Sequence, residues 1–267
     1  MRGRLAGSAD ATPSPAGSPT PLRPTTTHTP DPPTVTVSAG STATATPTPC
    51  ARGFSDVHPS DYFYPPVLYL ACRGVLSGYA DGTFRPYAST TSSQMVKIVV
   101  LGFAIPLSTP VGGASTFQDV PPSHPFFAAV ETAALHSIVS GYTCGQAPAG
   151  PCVPPQNRPY FLPFAPVTRG QLAKIDVATA GWPLIDPASG TYADVRPGTA
   201  FYRFVETAAC RGLVSGYACG GLGEPCGPGG QPYFRPNNSA TRGKIAKIVY
   251  QSITSPPGAC GGPAMRP

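Results

Sequence analysis

Ser215-Gly216-Tyr217, then a cysteine-bracketed insert, then Tyr233-Phe234-Arg235-Pro236 and Thr241-Arg242-Gly243: this ordered run is the key to the chain, because it occurs three times. The second copy reads Ser140-Gly141-Tyr142, an insert, Tyr160-Phe161-Leu162-Pro163 and Thr168-Arg169-Gly170-Gln171. The first reads Ser77-Gly78-Tyr79-Ala80-Asp81-Gly82-Thr83-Phe84-Arg85-Pro86 and ends in Thr91-Ser92-Ser93-Gln94. Self-similarity at this length scale means that each copy is one supersecondary unit, and that copies must stack to bury a shared core.

Upstream of each run lies a second recurrent signal: Phe54-Ser55-Asp56-Val57, Phe117-Gln118-Asp119-Val120 and Tyr192-Ala193-Asp194-Val195. An Asp ahead of a Pro-containing turn is a candidate helix cap, so Asp56, Asp119 and Asp194 are expected at helix entries. A first helix should follow in each copy. Its apolar stripes are Val67, Leu70, Ala71 and Val75, then Val130, Ala133, Ala134 and Ile138, then Val205, Ala208, Ala209 and Leu213. That spacing puts one stripe on one helical face. Pro65 and Pro66 suit a first turn, and Gly74, Ser137 and Gly212 stand where the helices should stop. Asp81-Gly82 predicts a tight turn in the first copy.

A second helix should begin at each Thr-x-x segment. Thr91 with Gln94, and Thr168 with Gln171, fit a capping box, whereas Thr241 with Lys244 keeps only the cap. The core-facing residues are Met95, Ile98 and Val99, then Leu172 and Ile175, then Ile245, Ile248 and Val249. Asp176 interrupts the middle stripe, and Lys97, Lys174 and Lys247 recur at one position.

The remainder of the 267 residues is low in charge and rich in Pro and Gly. Ten prolines and twelve threonines precede Cys50. Such an arm buries too little apolar surface to offset its ordering entropy, so residues 1–49 are expected to be a disordered Pro/Thr linker, a substrate for O-glycosylation or a bare spacer. The boundaries that follow are 50–115, 116–190 and 191–255 for the three repeats with their linkers, and 256–267 for a C-terminal tail.

The net charge of +6 suits an acidic partner, but the basic residues are not clustered as a nucleic-acid surface requires. No apolar run is long enough for a transmembrane segment. Residues 1–20 carry arginines without an apolar core, so no signal peptide is read there. Eight cysteines in a loop-rich chain nevertheless indicate an oxidising compartment. The two observations are reconciled if the chain is part of a larger secreted protein or its start lies upstream.

The cysteines Cys144 and Cys152, and Cys219 and Cys226, bracket inserts that the first copy lacks, which predicts one local disulfide across each. Cys50, Cys72, Cys210 and Cys260 allow three pairings. Cys50–Cys72 and Cys210–Cys260 are favoured, since each ties an end of the array to the adjacent repeat. A zinc site would require paired Cys-x-x-Cys spacing or nearby histidines, which are missing here, and no cofactor is expected.

Taken together, Phe-x-Asp-Val, an aromatic-led helix, Gly-Tyr-x-Asp-Gly-Thr-Phe-Arg-Pro and Thr-Arg-x-Gln, three times over, resemble the S-layer homology (SLH) domain triplet, a C-terminal cell-wall anchoring module. The resemblance implies a mainly α fold of three pseudo-equivalent helix–loop–helix repeats in a pseudo-threefold spindle. It implies non-catalytic attachment of a secreted protein to the bacterial cell envelope, outside the cell, through acidic cell-wall polysaccharide such as one carrying pyruvate ketals. The glycan-binding residues it implies are Thr168, Arg169 and Gly170, and Thr241, Arg242 and Gly243. Residue chemistry agrees: an Arg just past an N-cap lies where free N–H groups and the helix dipole favour an anion, and its planar fork suits a carboxylate. An exposed first-turn Arg should also contribute little to packing. The plainer alternative pairs it with Asp119 or Asp194.

The departures from the family pattern are the evidence for an alternative, second-ranked reading, a surface-layer or protein-interaction domain that has lost glycan binding. Ser92 stands where the first Arg belongs. The tryptophan that typically opens the family's first helix is absent: Tyr62, Pro125 and Ala200 occupy its place, followed by Phe63, Phe126 and Phe201. The sole tryptophan, Trp182, falls in a linker. A glycosidase would need two facing carboxylates. Asp56, Asp119 and Asp194 are explained by capping, Glu131 and Glu206 lack an evident partner, and His58, His124 and His136 show no nucleophile or metal spacing, so an enzyme is not expected.

Overall fold

Each repeat forms two helices. In chain order they are α1 (Tyr64–Cys72), α2 (Ser92–Gly102), α3 (Phe127–Leu135), α4 (Arg169–Thr179), α5 (Tyr202–Cys210) and α6 (Arg242–Thr254). The computed structural model describes Cys50, residues 52–254 and Cys260. The expected linker 1–49 and the tail 256–267, apart from Cys260, lie outside the described residues. Among the described residues, β-structure is limited to isolated bridges.

The odd-numbered helices end as their sequences predict. The N–H of Val75 donates to the Leu70 carbonyl and that of Gly74 to Ala71, the two bonds of a Schellman stop. Ile138 and Ser137, and Leu213 and Gly212, repeat the pattern. Gly74 and Gly212 adopt φ of 72° and 70°, and Ser137 is held at 56° without the freedom of a glycine. The capping boxes at Thr91 and Thr168 are both formed.

The expected capping role of the recurrent Asp is not what the structure shows. Phe63, Phe126 and Phe201 occupy the N-caps of α1, α3 and α5, without side-chain caps. Each Asp instead accepts two consecutive N–H groups from its own repeat's later loop. Asp56 takes those of Phe84 and Arg85 at 2.7 Å each, Asp119 those of Phe161 and Leu162, and Asp194 those of Phe234 and Arg235. The second residue of each pair has φ near 60°. A left-handed non-glycine residue is costly, and a carboxylate in the nest of two N–H groups stabilises it. Above each nest, Phe54 packs on Phe84, Phe117 on Phe161 and Tyr192 on Phe234, with ring centroids 5.2–5.4 Å apart. The glycine of Ser-Gly-Tyr makes room for the first ring: a Cβ on Gly78, Gly141 or Gly216 would lie 2.5–2.7 Å from it.

The repeats share one another's cores. α2, α4 and α6 pack against each other, and each covers the first helix of the following repeat: α2 on α3, α4 on α5, and α6 back on α1. The stripes predicted for both helix types are buried, with Ala134 and Ala209 partly exposed. Just before the even-numbered helices, three backbone hydrogen bonds close a ring through all three repeats. Thr90 N–H donates to Ala240 O at 3.3 Å, Ala240 N–H to Val167 O at 2.8 Å, and Val167 N–H to Thr90 O at 2.9 Å. These three residues are buried.

Disulfides join Cys144 to Cys152, Cys219 to Cys226, Cys50 to Cys72 and Cys210 to Cys260. The first two clamp the inserts, and the loop-closure entropy of such short rings is worth roughly 2–3 kcal/mol each. The other two tie flanking segments to the ends of α1 and α5. Trp182 lies under the Arg211 guanidinium, 4.5 Å from its centre.

Candidate functional site

The starts of the even-numbered helices, where the sequence places the binding residues, are consumed by contacts between repeats. The N–H of Arg169 donates to Asn238 O and that of Gly170 to Pro236 O, each at 2.8 Å; those of Arg242 and Gly243 donate to Ala88 O and Pro86 O. The expectation of free helix-terminal N–H groups for an anion is therefore corrected: loop carbonyls of the next repeat have taken them. The Thr168 hydroxyl accepts from Gln171 N–H as the helix cap, and Thr241 immediately precedes α6. A Cβ on Gly170 would lie 2.6 Å from the Phe201 ring, and one on Gly243 2.9 Å from that of Phe63, so both glycines permit close packing.

Arg169 and Arg242 are likewise not the exposed first-turn residues expected from the sequence. They are 9% and 6% exposed. Arg169 donates from Nε to Phe234 O at 2.8 Å and from Nη2 to Ser215 O at 3.0 Å. Arg242 repeats this with Phe84 O and Ser77 O at the same distances. Each guanidinium stacks on aromatic rings of the receiving repeat: Phe234 and Tyr217 at 4.5 and 5.1 Å, Phe84 and Tyr79 at 4.5 and 5.3 Å. Neither forms an ion pair among the described residues, which excludes a salt bridge to Asp119 or Asp194 as their explanation. Burial lowers both pKa values, but a guanidinium stays charged at neutral pH.

Beside Arg169 opens a groove of about 290 Å³ between α4, α6 and the Leu213–Tyr217 loop. Lys244 Nζ donates to the Tyr217 hydroxyl at 2.9 Å, and Lys247 sits 6.0 Å from the Tyr62 ring at the rim. Arg235 lies 4.0 Å from the Tyr217 ring centre but is neutralised by a two-pronged bond to Glu224. Burial raises the Tyr217 pKa, yet the Lys244 bond and the charges of Arg169, Lys244 and Arg235 outweigh it, so the phenol ends below its ordinary value. The groove thus holds positive charge in partial desolvation, where a carboxylate is bound more strongly than in open water.

An equivalent groove of about 210 Å³ lies beside Ser92. Here Gln171 Nε2 bonds the Tyr142 hydroxyl at 2.6 Å, Lys174 replaces Lys247, and Ala200 stands where Tyr62 does. The three-cation constellation is therefore absent from it. At the third position, Lys97 lies 5.8 Å from the Phe126 ring.

Two equivalent grooves at junctions between helical repeats are matched by a family assignment over the same residues. The S-layer homology domain pattern covers residues 53–95, 116–173 and 191–243. This chain belongs to the S-layer homology family. Among curated proteins, Cell surface glycoprotein 1 of Acetivibrio thermocellus is 27% identical over 196 residues, covering 69% of this chain and 7% of the relative. The chain therefore spans a small fraction of that protein's length.

Within the S-layer homology triplet, the matched regions contain Arg169 and Arg242 but stop short of Lys244 and Lys247. The lysine at 247 is visible in the sequence as a recurrent position; Lys244 is visible only as a broken capping box. The carboxylates left without partners by the sequence find structural ones: Glu131 accepts from both Thr116 N–H and its hydroxyl, and Glu206 does the same with Thr191. Among the described residues, no group of three His, Cys, Asp or Glu side chains gathers for a metal, and no helix is long and apolar enough to cross a membrane.

Proposed function

We propose that this chain is a non-catalytic anchor that holds a larger secreted protein on the outside of the bacterial cell envelope by binding acidic wall polysaccharide where its inter-repeat junctions carry an arginine. The observation that carries this reading is the groove where Arg169, Lys244 and Lys247 converge beside Tyr217. Arg242 holds the corresponding place against the first repeat, bonded to Phe84 O and Ser77 O. A sugar carboxylate, as in a pyruvate ketal, matches such a site in charge, and the half-exposed Tyr62 ring offers a face for the sugar. The cyclic helix contacts support a pseudo-threefold spindle for repeats 50–115, 116–190 and 191–255. In this scheme residues 1–49 are the spacer toward the cargo and 256–267 a tail. Membership of the family and similarity to a protein named as a cell surface glycoprotein support the location.

Because both arginines are buried structural groups, the lysines provide the cleaner test. Loss of a charge-assisted contact costs about 1.5–3 kcal/mol, so Lys244→Gln with Lys247→Gln should weaken binding of purified wall glycan at least about tenfold. Calorimetric titration measures this, and added salt should weaken the wild type as well. Equal affinity of wild type and double variant would overturn the assignment and favour a protein-interaction role.

A further inference from the structure

The Ser92 groove differs from its sisters in what is left unmade. In the third repeat the carbonyls of Phe234 and Ser215 receive the Arg169 guanidinium, and in the first those of Phe84 and Ser77 receive that of Arg242. The matching acceptors in the second repeat are Phe161 O and Ser140 O, and among the described residues no donor reaches either. Ser92 is too short: its hydroxyl turns to Ala165 O at 3.1 Å. Phe161, Ser140 and Tyr142 all line the resulting cavity of about 210 Å³. The aromatic shelf and both acceptors that hold a guanidinium elsewhere in this molecule are thus retained, with the guanidinium removed.

The charge around this cavity opposes a cation less than that of the Arg169 groove, because Gln171 stands where Lys244 does. Asp119 sits in the loop nest behind Phe161, bonded to the N–H groups of Phe161 and Leu162. In the sister repeats the residue after the phenylalanine is Arg85 or Arg235, whose repulsion of the buried arginine is offset by its own partner, Asp81 or Glu224. Leu162 takes that position here. Lys174 lines the cavity, but Lys247 lies beside Arg169 in the same relation, so a lysine at this place coexists with a bound guanidinium.

We propose that the Ser92 cavity is a binding site for the side chain of an arginine presented by a second polypeptide. The guanidinium enters over Phe161 and Tyr142 and donates to Phe161 O and Ser140 O, reproducing between molecules the latch that Arg169 and Arg242 make within this one. The site is separate in chemistry from the cationic groove proposed for acidic glycan and does not depend on it.

The test uses the full chain and acetyl-arginine-methylamide, with acetyl-lysine-methylamide and agmatine as controls. Titration should show saturable binding of the arginine probe to wild type, and Ser92→Arg, which fills the cavity from within, should weaken it at least about tenfold through competition for the same charge-assisted bonds. Should that variant fail to fold, amide resonances of the wild type decide the matter: Gly141 and Tyr142 should shift on titration, and Gly216 and Tyr217, whose cavity Arg169 already fills, should not. Equal shifts at the two places, equal binding to Ser92→Arg, or equal binding of the lysine probe would overturn the guanidinium site. Tighter binding of agmatine than of the peptide arginine would overturn its assignment to a polypeptide.

Discussion

Asp176 is the one position where an even-numbered helix spoils its own core stripe, and its consequence should be readable as a pH dependence of stability. It aligns with Val99 and Val249, both fully buried, and is itself 1% exposed. Its Oδ2 accepts from Ser252 Oγ at 2.6 Å, while Oδ1 has no partner among the described residues. Burial pushes the carboxyl up from 3.8 to about 7, against the opposing pull of the Ser252 bond. Below pH 3.8 both folded and unfolded chains carry the proton. Between 3.8 and about 7 the unfolded chain releases it while the folded chain keeps it, so stability falls as pH rises through that window, and the full penalty applies above it. A rise of about three pH units corresponds to roughly 4 kcal/mol. Asp176→Asn keeps the shape and removes the titration. Its stability relative to wild type should therefore improve by up to about 4 kcal/mol between about pH 4 and pH 8, which in a domain of this size is roughly 8–16 °C in Tm. Urea denaturation of both proteins at the two pH values is the assay. The cost of burying an amide is the same at both and cancels. A wild-type-to-variant difference that does not change with pH would refute the reasoning and mean that the carboxylate is solvated or paired in the folded chain.

Arg242→Ala should destabilise the domain by roughly 2–5 kcal/mol, because it strips two inward carbonyls, Phe84 O and Ser77 O, of their donor and unlatches the third repeat from the first; a change under about 0.5 kcal/mol in urea denaturation, the usual range for a surface substitution, would contradict the latch. Ser137→Gly should stabilise by about 1 kcal/mol, since Ser137 is exposed, held at φ 56°, and aligned with glycines that adopt this conformation freely; a loss of stability would show that the serine side chain contributes more than its backbone strain costs.

The parts of this protein that a reader of the sequence obtains correctly are those settled within a few residues. The helices follow from stripes at helical spacing, their stops from Gly74, Ser137 and Gly212, and the caps from Thr91 with Gln94 and Thr168 with Gln171. The insert disulfides follow because Cys144 with Cys152, and Cys219 with Cys226, bracket inserts that the first repeat lacks. Repetition adds family membership, since three imperfect copies of one pattern are far more specific than one.

What Arg169, Arg242 and the recurrent Asp do was settled only by tertiary structure. Asp194 caps a loop 40 residues away rather than the helix it precedes, and Arg242 reaches carbonyls 158 and 165 residues upstream because α6 closes the array onto the first repeat. A short motif states which groups a side chain can donate or accept; it does not state which distant backbone will be brought within 3 Å of them. The exposed, anion-ready arginine expected from the motif becomes a buried latch for that reason. Ser92 becomes informative for the same reason: its missing side chain is a fact of sequence, but the cavity and idle carbonyls it leaves exist only once the second repeat has packed against the first.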